Sequence, residues 1–102
     1  MGYDLHLTRA EEWFDSELVP IPEPEWNAIA RSALQVSTHY AAGEASPVYQ
    51  FEDSADSPTM QWGHGQVTVW GAGETDIAAL VALAERLDAR LMGDDSETYP
   101  LE

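Results

Sequence analysis

Residues 59–70 read TMQWGHGQVTVW. Two runs suited to β-structure, TMQW at 59–62 and QVTVW at 66–70, flank Gly63, His64 and Gly65. Glycine takes positive φ without steric cost, so the triplet predicts a compact connection between two antiparallel strands. Upstream, PVYQFE at 47–52 sets Tyr49 and Phe51 against Val48 and Gln50. That period of two predicts a third strand. DSADSP at 53–58 lies between and is a turn by composition. The core of the fold is therefore a three-stranded antiparallel meander.

Outward from the meander, helical patterns take over. Gly71 and Gly73 break the chain, and Thr75 is expected to N-cap a helix with Asp76 just inside it. Ile77, Leu80, Val81, Ala84 and Leu87 then form an apolar stripe at helical spacing. The helix is expected to end near Asp88 or Ala89. RLMG at 90–93 reads either as its last turn or as a short strand, GDDSE at 93–97 as a turn, and TYPLE as an edge strand limited by Pro100. On the other side, STHYAAGEASP at 37–47 is a loop by composition. Pro24 suits the first position of a helix carrying Trp26, Ile29, Ala30, Ala33 and Leu34 on one stripe. Pro20, Pro22 and Pro24 exclude a regular element across 19–23. AEEWFDSEL at 10–18 predicts one or two helical turns, but Trp13 and Phe14 are adjacent, and one helical face cannot bury both. YDLHLTR at 3–9 alternates strictly, Tyr3, Leu5 and Leu7 against Asp4, His6 and Thr8, and predicts a half-buried strand.

The expected order is β-α-β-β-β-α-β. It describes one α+β domain over 1–102: a mostly antiparallel sheet of four to five strands, two helices packed on one face, and the other face partly open.

The 102 residues include 19 Asp or Glu, four Arg, no Lys and no Cys, for a formal net charge of −15. A nucleic-acid binder needs a basic footprint, and an anionic membrane surface repels such a chain, so direct binding to either is excluded. Disulfides and cysteine zinc sites are excluded without Cys. The longest apolar run is Ile77 to Ala84, far short of the roughly 20 residues of a spanning helix. The N-terminus has no basic region ahead of an apolar one, so no secretory signal is expected and a cytoplasmic location is the default.

Motifs for chemistry are weak. His6, His39 and His64 show no metal-ligand spacing and read as solvent-facing or singly hydrogen-bonded. The Gly93-Asp94-Asp95 tripeptide describes any acidic turn, and Asp53, Asp56, Asp94, Asp95 and Glu97 lack EF-hand spacing. No serine lies in a Gly-x-Ser-x-Gly elbow. Glu74 and Asp76 would repel a pyrophosphate at the loop Gly71-Ala72-Gly73. Arg9, among so many acids, predicts a salt bridge. The four tryptophans read as core; the alternative is an exposed anchor on the open sheet face. Trp62 and Trp70 flank the hairpin, where they are expected to pair across it.

The opening YDLHLTRAEEWFD and the closing LDARLMGDDSETY resemble a family of small acidic bacterial proteins, similar in size and charge to the immunity proteins of toxin systems. The matching positions are Tyr3, Asp4, Thr8, Arg9, Ala10, Trp13 and Asp15, then Leu87, Ala89, Gly93, Asp94, Asp95, Glu97 and Tyr99. Ser96 stands where that family commonly has glycine, which bears on the turn. The resemblance covers the two ends and does not extend to residues 36–60. It implies no catalytic residue and no cofactor. Charge complementarity points to a partner: a basic toxin domain, with the acidic-loop residues Glu44, Glu52, Asp53, Asp56, Asp94, Asp95 and Glu97 as candidate contacts and Trp62, His64 and Trp70 as a hydrophobic anchor. Two alternatives remain open from the sequence. One is a ligand-binding or enzymatic domain with a pocket between helices and sheet. The other is a halophile-adapted domain, which would unfold at low salt.

Overall fold

A computed structural model describes residues 4–36, 47–52, 57–94 and 97–99. The strands are β1 (Leu5–Thr8), β2 (Gln35–Val36), β3 (Val48–Gln50), β4 (Thr59–Gly63), β5 (Gln66–Trp70), β6 (Arg90–Gly93) and β7 (Thr98–Tyr99). They form one antiparallel sheet in the order β2-β3-β4-β5-β1-β6-β7. The helices are α1 (Glu23–Ala33) and α2 (Ile77–Arg86). The α+β class and the β3-β4-β5 meander stand, but the sheet has seven strands rather than four or five. β7 falls in TYPLE and lies at the sheet edge, as expected there, while β2 spans two residues, too short for alternation to register as a pattern. The predicted loop over 37–47 and turn over 53–58 fall largely outside the described residues.

Local chemistry explains the boundaries. His64 and Gly65 both have positive φ, 52° and 83°, so β4 and β5 are joined by a two-residue turn of the kind that matches strand twist. Gly63 belongs to β4, which makes the connection tighter than the expected triplet. Asp88 also has positive φ, 53°. Around it the Ala89 N–H donates to Ala84 O at 2.9 Å and the Asp88 N–H to Glu85 O at 3.1 Å. This left-handed cap ends α2 and frees Arg90–Gly93 to be a strand instead of a last turn. At the other end Thr75 is not the cap. It lies inside a 3-10 turn, Glu74–Asp76, closed by Asp76 Oδ2, which accepts from the Gly73 N–H at 2.9 Å.

Alternation along β1, β5 and β6 divides the sheet into two faces. Leu5, Leu7, Met60, Val67, Val69 and Leu91 share one face by register. They join a single buried cluster with Trp26, Ala30, Leu80, Leu83, Ala84 and Leu87, so both helices cover that face. Each fully buried Leu or Val there contributes about 1.5–3 kcal/mol. Trp26 meets Tyr49 edge-on, with ring centroids 5.8 Å apart. No helix among the described residues is long and apolar enough to cross a membrane.

The opposite face carries His6, Thr8, Gln50, Thr59, Gln66 and Met92, all buried. Residues 10–21 cover part of it. They form a 3-10 turn at Trp13–Asp15 and a further turn at 16–18 rather than an α-helix. The rest of this face is partly open, with Thr68 and Gln61 half-buried and Trp70 exposed.

Candidate functional site

β1 delivers His6 to the polar face, and β6 delivers Asp94 beside it, because β1 pairs with β6 and Asp94 follows Met92 by one pleat repeat. His6 Nε2 lies 2.8 Å from Asp94 Oδ1, and His6 Nδ1 lies 2.7 Å from Gln66 Oε1. The Gln66 amide is oriented by its Nε2, which donates to Trp13 O at 3.2 Å. Both ring nitrogens of His6 therefore lie within hydrogen-bond reach of a side-chain oxygen. Trp13 stacks on that ring at 4.1 Å with an interplanar angle of 2°. The indole Nε1–H of Trp13 donates to Asp94 O at 3.2 Å, and the Asp4 N–H donates to Asp94 Oδ2 at 3.1 Å.

A second chain of bonds fixes the same segment. Ser16 Oγ donates to Trp13 O at 2.5 Å, so Thr8 Oγ1 is the donor in its 2.6 Å contact with Ser16 Oγ. Thr8 Oγ1 also accepts from the Ala10 N–H at 3.1 Å. Further along, the Ile21 N–H donates to Gly65 O at 2.9 Å, and Trp62 Nε1 donates to Ile21 O at 2.7 Å. Arg9 reaches the other way. It donates to Leu87 O through Nε and Nη2, at 2.9 and 2.8 Å, and pairs with Glu25 at 2.5 Å, the salt bridge expected from the sequence.

This arrangement fixes the segment against the sheet. His6 is only 5% exposed and both its ring nitrogens are in contact with neighbouring side chains, so neither faces solvent. It is neither solvent-facing nor singly bonded, which corrects the expectation for it. Among the described residues, no three His, Asp or Glu side chains are placed to hold a metal ion.

The sequence-derived site residues do not form one patch. Glu44, Asp53, Asp56 and Asp95 lie outside the described residues, as does His39. Glu52 is exposed just past β3. Trp62 and Trp70 do not pair: Trp62 is opposite Val67 and Trp70 opposite Thr59. They stand on different faces, Trp62 half-buried beside the apolar core and Trp70 38% exposed on the polar face. His64 is exposed at the hairpin turn, 3.4 Å from Glu17. Asp94 is a partner of the buried network and not a free turn acid. Glu97 is half-buried, where a Cβ added to Gly93 would collide with its carboxylate.

The Glu97 carboxylate also lies 3.5 Å from the Tyr99 hydroxyl. Burial first, then the charge of Glu97 and this hydrogen bond, raise the phenol above its ordinary value of 10.0.

What the sequence reading missed is what the network carries. Phe14 is 64% exposed and Leu18 80%, with Val19 exposed as well. Glu11, Asp15 and Glu17 are exposed among them. The available signal was the pair Trp13-Phe14, of which only one ring can find cover.

No protein-family model matches the chain, and searches of curated proteins and of solved structures return no significant match.

Proposed function

We propose that this chain is a non-enzymatic acidic binding protein: an immunity protein that neutralises a cognate bacterial toxin by charge-complementary contact. The observation that carries the reading is where the acids stand. No Asp or Glu among the described residues is buried, while the formal charge is −15. Two of the four arginines are held by neighbours within the chain, Arg9 by Glu25 and Leu87 O, and Arg86, at the surface, by Ser32. The outer surface thus projects a negative field with little internal compensation. Such a field steers a basic partner and raises its association rate, most strongly at low salt. Toxins that act on nucleic acid carry basic clefts of that kind. The ordered network at His6 supports the non-enzymatic half of the reading, because it engages the one buried histidine among the described residues on both nitrogens.

The test is rescue. The chain is co-expressed with the toxin domain encoded in the neighbouring reading frame, and growth is followed. Restored growth with a salt-sensitive 1:1 complex is expected. A neighbouring frame that encodes no toxin domain, or toxicity unchanged by the chain, overturns the reading.

A further inference from the structure

Most of the large apolar side chains that the described residues expose lie in one short stretch, with Phe14, Leu18 and Val19 inside six residues; the others, Val36 and Trp70, stand apart. Glu11, Asp15 and Glu17 alternate with them, and no Lys or Arg lies between positions 10 and 30. An apolar cluster rimmed by one sign of charge has the composition of an interface anchor.

The backbone under these side chains is fixed. The Asp15 N–H donates to Glu12 O at 2.9 Å and the Leu18 N–H to Asp15 O at 2.9 Å, so the segment closes its own turns. Trp13 pins it to His6 and Asp94, Ser16 pins it to Thr8, and Ile21 pins it to the hairpin at Gly65. Phe14 rests edge-on against Trp13, with centroids 5.6 Å apart. The display is therefore preorganised, and a partner meeting it has little loop ordering to offset.

Resting on the immunity reading, we infer that residues 11–19 are the docking surface for the basic protein partner, whose contact presents an apolar socket for Phe14 and Leu18 ringed by Arg or Lys. Charge complementarity selects this occupant. An acidic or neutral partner would gain the apolar contact but meet Glu11, Asp15 and Glu17 unpaired. The buried network acts through Trp13 as a positioning device for the surface and does not touch the partner.

The test uses the whole chain and a synthetic 12-residue peptide of alternating Arg and Leu, with an all-Arg peptide as control. Backbone NMR shifts are read for both. The Arg-Leu peptide is expected to shift residues 11–19 most, and the double substitution Phe14→Ser with Leu18→Ser to weaken it about tenfold, with the all-Arg peptide little changed. Both substitutions replace exposed side chains, so the variant is expected to keep the wild-type melting temperature, which is checked first. Shifts centred elsewhere, such as on Glu52, Glu74 or Asp76, overturn the assignment, as does a double variant that binds as well as wild type. Because this readout contains no toxin, a failure here is separate from a failure of growth rescue.

Discussion

The two faces of the sheet are buried by different means. On the helix-covered face, aliphatic side chains from β1, β4, β5 and β6 meet Trp26, Leu80, Leu83 and Leu87, and burial alone stabilises the contact. On the opposite face the cover is a stretch of chain without a regular helix, tied down by hydrogen bonds, His6 to Gln66 and Asp94, Gln66 to Trp13, Thr8 to Ser16, and by the stack of Trp13 on His6. Apolar packing tolerates swaps of similar volume. A hydrogen-bonded network is directional and fails when one member is lost. The first face holds the molecule together, and the second fixes one segment in one orientation.

Substitutions on each face separate these roles. Trp26→Ala, on the apolar face, is expected to destabilise the protein by about 3–5 kcal/mol in chemical denaturation. A loss below 1 kcal/mol by that scale would mean the helices are not the main stabilising cover. His6→Leu, on the polar face, strands the acceptor of Gln66 and removes the stack under Trp13, with an expected loss of about 1–3 kcal/mol. Its more telling signature is faster amide exchange across 11–19 while α1 and α2 stay protected; uniform loss of protection would erase the distinction between the faces. Gly65→Ala forces positive φ on a side chain and sets its Cβ 2.6 Å from Ser16 O, so about 1–2 kcal/mol is expected, with the first symptoms again in the segment. Phe14→Ser is expected to move stability by no more than about 0.5 kcal/mol, since that ring is mostly exposed.

The smallest effect concerns the rim of the apolar face. Tyr99 has a folded-state pKa above its unfolded value, so its contribution to stability is complete below pH 10.0 and is lost as pH climbs through the folded value. In alkaline melts Tyr99→Phe is expected to flatten that decline; an identical slope in the variant would show that Tyr99 has the same pKa in the folded and unfolded chain.

Legibility in the sequence followed the same division. The apolar face was readable because its signals are periodic: Leu5 and Leu7 two apart, Ile77, Leu80, Val81, Ala84 and Leu87 at helical spacing. The meander was readable because Gly63 to Gly65 punctuate it. The polar face was not, since the partners of His6 lie 60 and 88 residues away and hydrogen-bonded polar groups show no period. Asp94 looked like any turn acid for the same reason. Trp62 and Trp70 are too far apart along the hairpin to stand opposite one another, and with Gly63 paired to Gln66 the one-residue shift of the turn also sets them on different faces. The edge pairing at Gln35–Val36 was too short to leave a pattern, whereas the edge strand at Thr98–Tyr99 was read from TYPLE.

β1 lies between β5 and β6, although it is the first strand in the chain. During synthesis the strand that closes the middle of the sheet leaves the ribosome first and waits longest. β3, β4 and β5 are neighbours in sequence and can zip up as they emerge, but β1 gains its second edge only after Arg90–Gly93 has been made. Until then its leucines stay uncovered on that side. Contacts of such long sequence separation slow the search for the native state. This topology therefore postpones the last cooperative step until nearly the whole stretch has been translated, and the segment seated on His6 and Asp94 acquires its fixed shape only then.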